Sequence, residues 1–237
     1  MRIDDIGASS KKYEIYSKYP GGNILFLKYL RWFRAWGPYQ ELTASEWEKV
    51  FGLLEKFDAK LTVAITATWV EQDGVFVPYY EKFPDQAVVL KKGLEQGLLE
   101  IANHGLTHCV VGKHLPRWFS SNRKFHREFW DWLDEDIHFQ HIELSQRILQ
   151  DYFQVPVTTF VPPGNVYAQA TVLAAERFGI NLINCLAENG IREGVRILSD
   201  EHVFAFHDRL LVLEGFNWLE KILAQQMDAT YCFVRDL

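Results

Sequence analysis

Short β-branched runs alternate with segments of helical period along almost the whole chain, and that alternation restricts the fold to a parallel α/β barrel or sheet. Thr43-Ala-Ser-Glu46 has the form of a capping box, and Trp47, Val50, Phe51, Leu53 and Leu54 behind it recur at helical spacing, which predicts a helix over residues 43–57. Leu61–Thr66 is β-branched and short, the pattern of a strand buried on both faces. Asp85 is positioned to cap a helix that stops at Gly97, and a strand-like run, 98–103, follows at once. Apolar positions from Phe129 to Leu149 predict a long helix over 122–153. Strands are expected at 155–161, 180–186, 202–207 and 231–234, and helices at 168–178 and 215–227. No repeat, linker or low-complexity segment interrupts the pattern, so residues 1–237 are expected to form a single domain.

Composition narrows the function classes. With 48% hydrophobic and 24% charged residues the chain has the makings of a globular body. A net charge of −6 supplies no basic field for polyanions, which disfavours nucleic acid as a partner. No apolar run reaches the length of a membrane span, and the first residues lack the basic-then-apolar pattern of an export signal, so a cytoplasmic location without membrane insertion is expected. Cys109, Cys185 and Cys232 form no Cys-x-x-Cys pair and read as reduced thiols.

The chemistry is carried by four polar residues at two places. Asp4-Asp5 ends an apolar-containing stub, and His104-Gly-Leu-Thr-His108 follows the strand-like run 98–103, so both fall where a strand gives way to a loop. One carboxylate beside two imidazoles is a ligand set for a divalent metal ion with coordination positions left open for water. The second carboxylate would then be available to take a proton, a role a purely structural site does not need. His207 ends another expected strand. His138 and His141 share a helical face and are expected at its surface. Among the eight tryptophans, Trp47, Trp130 and Trp132 sit at helical spacing among apolar residues and read as core.

Taken in order, these segments resemble the motifs of the polysaccharide deacetylase family, the NodB-homology domain of carbohydrate esterase family 4. Asp4-Asp5-Ile6-Gly7 resembles its paired-aspartate motif and Asn103-His104-Gly-Leu-Thr-His108 its second motif in looser form. Phe160-Val-Pro-Pro-Gly164 resembles the third, and Phe206-His207-Asp208 the last. The resemblance implies a distorted (β/α) barrel of seven or eight parallel strands. It further implies that Asp5, His104 and His108 ligate a divalent metal, usually zinc and in some members cobalt or nickel, with Asp4 as general base and His207 as general acid. Pro162, Pro163 and Gly164 would form a stiff loop whose Gly164 N–H suits an oxyanion, while Trp69 and Trp118 would sit on the rim, where an indole can stack on a sugar ring. Two departures stand out. The family's third motif carries an arginine that pairs with the base aspartate, and here that register holds Phe160 or Val161; Arg2, Lys11 and Arg209 are the cations that could replace it. The family's aspartate-tryptophan motif has only Glu188 as a placeholder.

The resemblance thus implies a metal-dependent hydrolase that removes N-acetyl groups from amino sugars of a polysaccharide or its precursor. The Val161-Pro-Pro-Gly-Asn165 variant is similar to deacetylases of bacterial surface-polysaccharide and O-antigen biosynthesis. The alternatives are an inactive, metal-containing barrel that binds glycans and a small-molecule amidase on the same scaffold.

Overall fold

A computed structural model describes residues 1–14, 41–116, 121–187, 189–226 and 229–237; Trp118 and Glu188 lie outside them. The chain begins with strand β1 (Arg2–Ile6) and a single helical turn, α1 (Ser10–Tyr13). Helix α2 (Ala44–Lys56) opens on the expected capping box: the Thr43 hydroxyl accepts from Glu46 N–H while the Glu46 carboxylate accepts from Thr43 N–H. Then come β2 (Leu61–Ile65), the short strands β3 (Thr68–Val70) and β4 (Phe76–Pro78), α3 (Tyr79–Lys82), α4 (Pro84–Glu95) and β5 (Leu99–Asn103). Helix α5 (Glu135–Phe153), β6 (Thr159–Phe160), α6 (Gln169–Arg177), β7 (Leu182–Cys185), β8 (Gly190–Arg192) and β9 (Val195–Ser199) follow. The described chain ends with β10 (Ala205–His207), α7 (Asp208–Glu214) and α8 (Phe216–Gln225), then a 3-10 turn at Val234–Asp236.

Among the described residues the main sheet has eight strands in the order β10-β1-β2-β5-β6-β7-β9-β8. All neighbours are parallel except β8, which pairs antiparallel with β9 at one edge. The sheet curls into a half-barrel, the distorted (β/α) barrel that the alternation and the motifs imply. Alternate strand residues separate its two faces. Ile3, Val63 and Ile101 face the helices and join Trp47, Leu54 and Leu90 in the larger core, while Phe160, Ile183 and Ile197 join Val172 and Ile142 in a second one.

The inner, concave face is filled in layers. At the bottom Glu100 accepts from the hydroxyls of Thr62 and Thr159, both at 2.6 Å, and Val234 N–H donates to Thr62 Oγ1. Above it Ala64, Ala102 and Val161 form a small apolar layer. The polar residues of Asp4-Asp5 and the His104 loop lie at the next level, where the parallel strands end.

Several boundaries differ from the sequence reading. Asp85 does not cap α4; Pro84 starts that helix, with its φ already helical and no N–H to satisfy. Residues 122–134 are not helical beyond a 3-10 turn at Arg123–Phe125, because this stretch dips inward to bury Glu128 and Phe129 before α5 begins. Tyr231–Val234 makes no strand. Residues 200–202 form a 3-10 turn, so β10 is confined to the three residues ending in His207. His138, expected at a surface, is 1% exposed: its Nδ1 accepts from the Thr171 hydroxyl and its Nε2 faces the Trp130 carbonyl. Trp132, expected in the core, is 49% exposed and stacks on Trp130, whereas Trp47 is fully buried as expected.

Candidate metal centre

Adjacent residues of a regular strand point to opposite faces, which would send Asp5 to the helix side with Ile3. A bulge prevents this. Between Ile3 and Ile6 the register of β1 against β2 slips, and Asp5 adopts φ +67°; a bulge re-aims a side chain in this way. Asp5 thereby meets the loop that leaves the end of β5. Its Oδ1 lies 3.0 Å from His104 Nε2 and 2.9 Å from His108 Nε2, and His207 Nε2, arriving from β10, is 3.5 Å from Oδ2.

The donor set fits a divalent cation. One ligand atom from each of Asp5, His104 and His108 can be chosen with all three within 4.8 Å of one another, and all three residues are buried. His104 Nδ1 donates to the Val161 carbonyl at 2.6 Å, which leaves the lone pair on Nε2, the nitrogen facing Asp5. Burial opposes ionisation of Asp5, but His207 and the polar contacts with His104 and His108 outweigh it and hold the carboxyl well below the ordinary carboxylate range. For His108 burial pushes the imidazole down, and Asp5 more than reverses this, so the net shift is upward. A concentrated negative charge facing two imidazole nitrogens is the electrostatic environment that a cation would neutralise.

Asp4 is on the inner face with Arg2, two residues back on the same strand. The Arg2 guanidinium grips it with two parallel bonds, Nε to Oδ1 at 2.8 Å and Nη2 to Oδ2 at 2.9 Å. Nη1 reaches across the half-barrel to Asp200 at 2.7 Å and to the Asn184 amide oxygen. The absence of an arginine in the third motif therefore does not leave Asp4 without a cation: Arg2 takes that place. Lys11 is engaged elsewhere, by Asp208 and by Glu41. Val161 cannot be the site of such a group, since it is 1% exposed between Ala64 and Ala102. Across β1 and β10, Asp4 is the register partner of His207, whose side chain is 52% exposed.

The other sequence-expected positions are mixed. Pro162 and Pro163 are buried after β6, and Gly164, with φ +60°, is exposed on that loop where a Cβ would press on the Arg127 side chain. Trp69 belongs to the β3–β4 hairpin and is only 8% exposed, its ring packed edge-on against Phe83, so it presents no open face for a sugar. Trp118 lies outside the described residues. Glu128, which sequence reasoning passed over, sits directly behind the histidine loop. Its carboxylate accepts from the N–H groups of Leu106, Thr107 and His108 and from His141 Nδ1. The segment 122–134 reads as helix in sequence, and no motif marked this residue.

The family model described as polysaccharide deacetylase matches residues 37–183, and the chain belongs to that family. No curated protein sequence matches it. Among solved structures, similarity extends to the BpsB deacetylase domain of Bordetella bronchiseptica, at 18% identity over 70% of this chain and 68% of that one, TM-score 0.46. It extends also to wild-type BA3943, a CE4-family pseudoenzyme of Bacillus anthracis, at 15% identity over 77% of this chain and 57% of that one, TM-score 0.47. A 4-α-glucanotransferase of Thermococcus litoralis aligns over 94% of this chain and 39% of its own length, with 12% identity and TM-score 0.54, a likeness of fold alone. The chain thus spans 68%, 57% and 39% of these three proteins.

Proposed function

We propose that this protein is a metal-dependent deacetylase that removes the N-acetyl group from an amino sugar within a polysaccharide or its precursor. The reading is carried by one observation: Asp5, His104 and His108 converge on one point, with a second carboxylate, Asp4, beside them and a histidine, His207, opposite.

Asp5, His104 and His108 would hold the ion through Oδ1 and the two Nε2 atoms. When bound, a divalent ion supplies Lewis acidity and lowers the pKa of water on it to about 7. Asp4 accepts the proton of the attacking water; each of its oxygens receives one bond from Arg2 and keeps a lone pair for that purpose. The bidentate grip also fixes the orientation of the carboxylate, so little freedom is lost when it acts. His207, half exposed at the end of β10, donates a proton to the departing amine. The loop of Pro162, Pro163 and Gly164 borders the same end of the sheet, and the Gly164 N–H serves the oxyanion of the acetamide. Zinc is the ion that a carboxylate with two imidazoles suits best, with cobalt or nickel able to occupy the same donors. The substrate class rests on the family, and the assignment to surface-polysaccharide precursors such as those of O-antigen rests on the resemblance of the Val161–Asn165 segment.

The test joins metal content to turnover. Purified protein should contain about one divalent ion per chain and release acetate from N-acetylated amino-sugar oligosaccharides, and His104→Ala should lose both. Asp4→Asn should keep the ion and slow release on the order of 10²–10⁴-fold, the usual contribution of a positioned base. An ion lost from Asp4→Asn but kept in Asp5→Asn would exchange the two roles. A fully loaded parent inert on every N-acetylated sugar tried would replace the enzyme with a glycan-binding module.

A further inference from the structure

Glu128 is 1% exposed, and its carboxylate meets the ligand set at the backbone N–H of His108, so that its four bonds bear on where that set lies. Oε1 accepts from Leu106 N–H at 3.0 Å and from His141 Nδ1 at 2.6 Å. Oε2 accepts from Thr107 N–H at 3.0 Å and from His108 N–H at 2.7 Å. A carboxylate has about four lone-pair sites, and all four are occupied by donors. Burial disfavours the charge, but the His141 bond and the loop amides outweigh it, and the carboxyl is held below its ordinary range.

The loop that this carboxylate ties down is otherwise costly to hold. His108 has φ +56°, a left-handed conformation uncommon for a residue with a Cβ, so the surroundings must impose it. Gly105 has φ +81°, and a Cβ there would collide with the Glu128 carboxylate, which shows how closely the loop wraps it. His141 in turn comes from α5, the helix whose Ser145 and Gln146 hold the Asn103 amide just before His104, while Asn103 Oδ1 accepts from Gly105 N–H.

We propose that Glu128, clamped by His141, is a positioning residue for the metal site: it sets the backbone of residues 106–108 so that His108 Nε2 faces Asp5, and thereby sets the affinity and geometry of the bound ion. The inference rests on the reading of Asp5, His104 and His108 as ligands. Groups that orient a metal ligand from behind change metal affinity by about 10–100-fold when removed. Glutamine is the informative replacement, because its NH2 would face two backbone N–H donors in the place of Oε2 and one, Leu106 N–H, in the place of Oε1, while its volume is unchanged.

The experiment measures the affinity of the whole chain for Zn²⁺ by chelator competition, the visible spectrum of the Co²⁺-loaded protein, and the melting temperature of the metal-free form. Four proteins are compared: the parent, Glu128→Gln, His141→Gln and Glu100→Gln. Glu100 is an equally buried carboxylate, bonded to Thr62 and Thr159 at the other end of β5, and serves as the control for loss of a buried charge as such. The expected result is a 10–100-fold weaker Zn²⁺ affinity and an altered Co²⁺ spectrum in Glu128→Gln. A smaller change in the same direction is expected in His141→Gln, which decides the matter if Glu128→Gln does not fold. Glu100→Gln should bind Zn²⁺ like the parent whatever its melting temperature. Parent-like affinity and spectrum in Glu128→Gln, or in His141→Gln where only that variant folds, would overturn the inference, as would an equal loss in Glu100→Gln. A parent that binds no divalent ion, or a His104→Ala variant that binds it undiminished, would overturn the metal reading itself.

Discussion

Asp4 owes its partner to the simplest rule of strand geometry. Residues two apart share a face, so Arg2 lies beneath Asp4 on the inner surface and can grip it without help from another strand. The guanidinium is 2% exposed. Burial works against its charge, and Asp4 and Asp200 restore it, so that its affinity for the proton is raised. Removing one member of such a cluster strands the others. Arg2→Met is expected to cost about 3–5 kcal/mol of folding stability, because buried carboxylates are left without an opposite charge. In an Asp4→Asn background the same substitution should cost distinctly less, since one of those charges is already gone. Urea denaturation of the four proteins of this cycle measures the coupling; equal losses in both backgrounds would mean that Arg2 stabilises the fold other than through Asp4.

At the scale of elements, the fit of α4 against the sheet depends on one residue without a side chain. Gly93 lies within the helix, and a Cβ there would come 2.6 Å from Phe51 Cζ on α2 and 2.8 Å from Leu99 Cδ1 on β5. Alanine is the better helix former by about 1 kcal/mol. The clash is with packed side chains on two sides, and overpacking of this kind costs about 1–3 kcal/mol. Gly93→Ala should therefore lower the melting temperature despite the gain in propensity, and a rise would show that α4 can shift outward freely. The contrast with Gly52 on α2 is direct, since a Cβ at that position meets nothing within 4 Å. Helix α5 does a different job: its Ser145 and Gln146 hold Asn103 at the end of β5 and its His141 holds Glu128 behind the loop beyond, so one helix face braces the strand that leads into both histidines.

For the molecule as a whole, one buried histidine contributes to the response to acid. His126 is pushed down to about 3, first by burial and then by the nearby His108, while the carbonyls of His114 and Tyr13 pull weakly the other way. Its Nε2 lies 2.9 Å from the His114 carbonyl, and its Nδ1 is buried without a partner among the described residues. In the unfolded chain the same imidazole titrates near 6.5 (an approximate value). Between those two values the unfolded state binds the extra proton and the folded state does not, so stability falls as the pH is lowered through that window, by up to about 1.4 kcal/mol per pH unit. Above about pH 8 the group contributes almost no slope. His126→Gln should flatten the pH dependence of the unfolding free energy between pH 4 and 6 by about one proton. An undiminished slope would assign the acid sensitivity to other groups.

Local pattern and tertiary arrangement divide the protein along a physical line. The strand and helix alternation, the capping box at Thr43, the buried β2 and the helices α2 and α6 follow from nearest-neighbour chemistry and period, and all are legible in the sequence. The acid and histidine pairs are legible as a candidate site as well, because paired carboxylates and spaced imidazoles are few in the chain and both pairs mark strand ends. Their meeting is not: the bulge and left-handed φ that turn Asp5 inward depend on how β1 registers against β2, which no local signal in β1 states. The same holds for Trp69, whose loop position suggested a rim and whose hairpin buries it, and for His138 and Trp132, which exchange the surface and core places that periodicity gave them. Arg2 could be named only as one of three cations, and Glu128 was hidden in a stretch whose apolar spacing imitates a helix. A charged side chain takes its role from partners distant in the chain, Asn184 and Asp200 for Arg2 and the loop 106–108 for Glu128. Period and propensity are properties of neighbours along the chain, whereas a partner 20 to 198 residues away is decided only when the sheet closes.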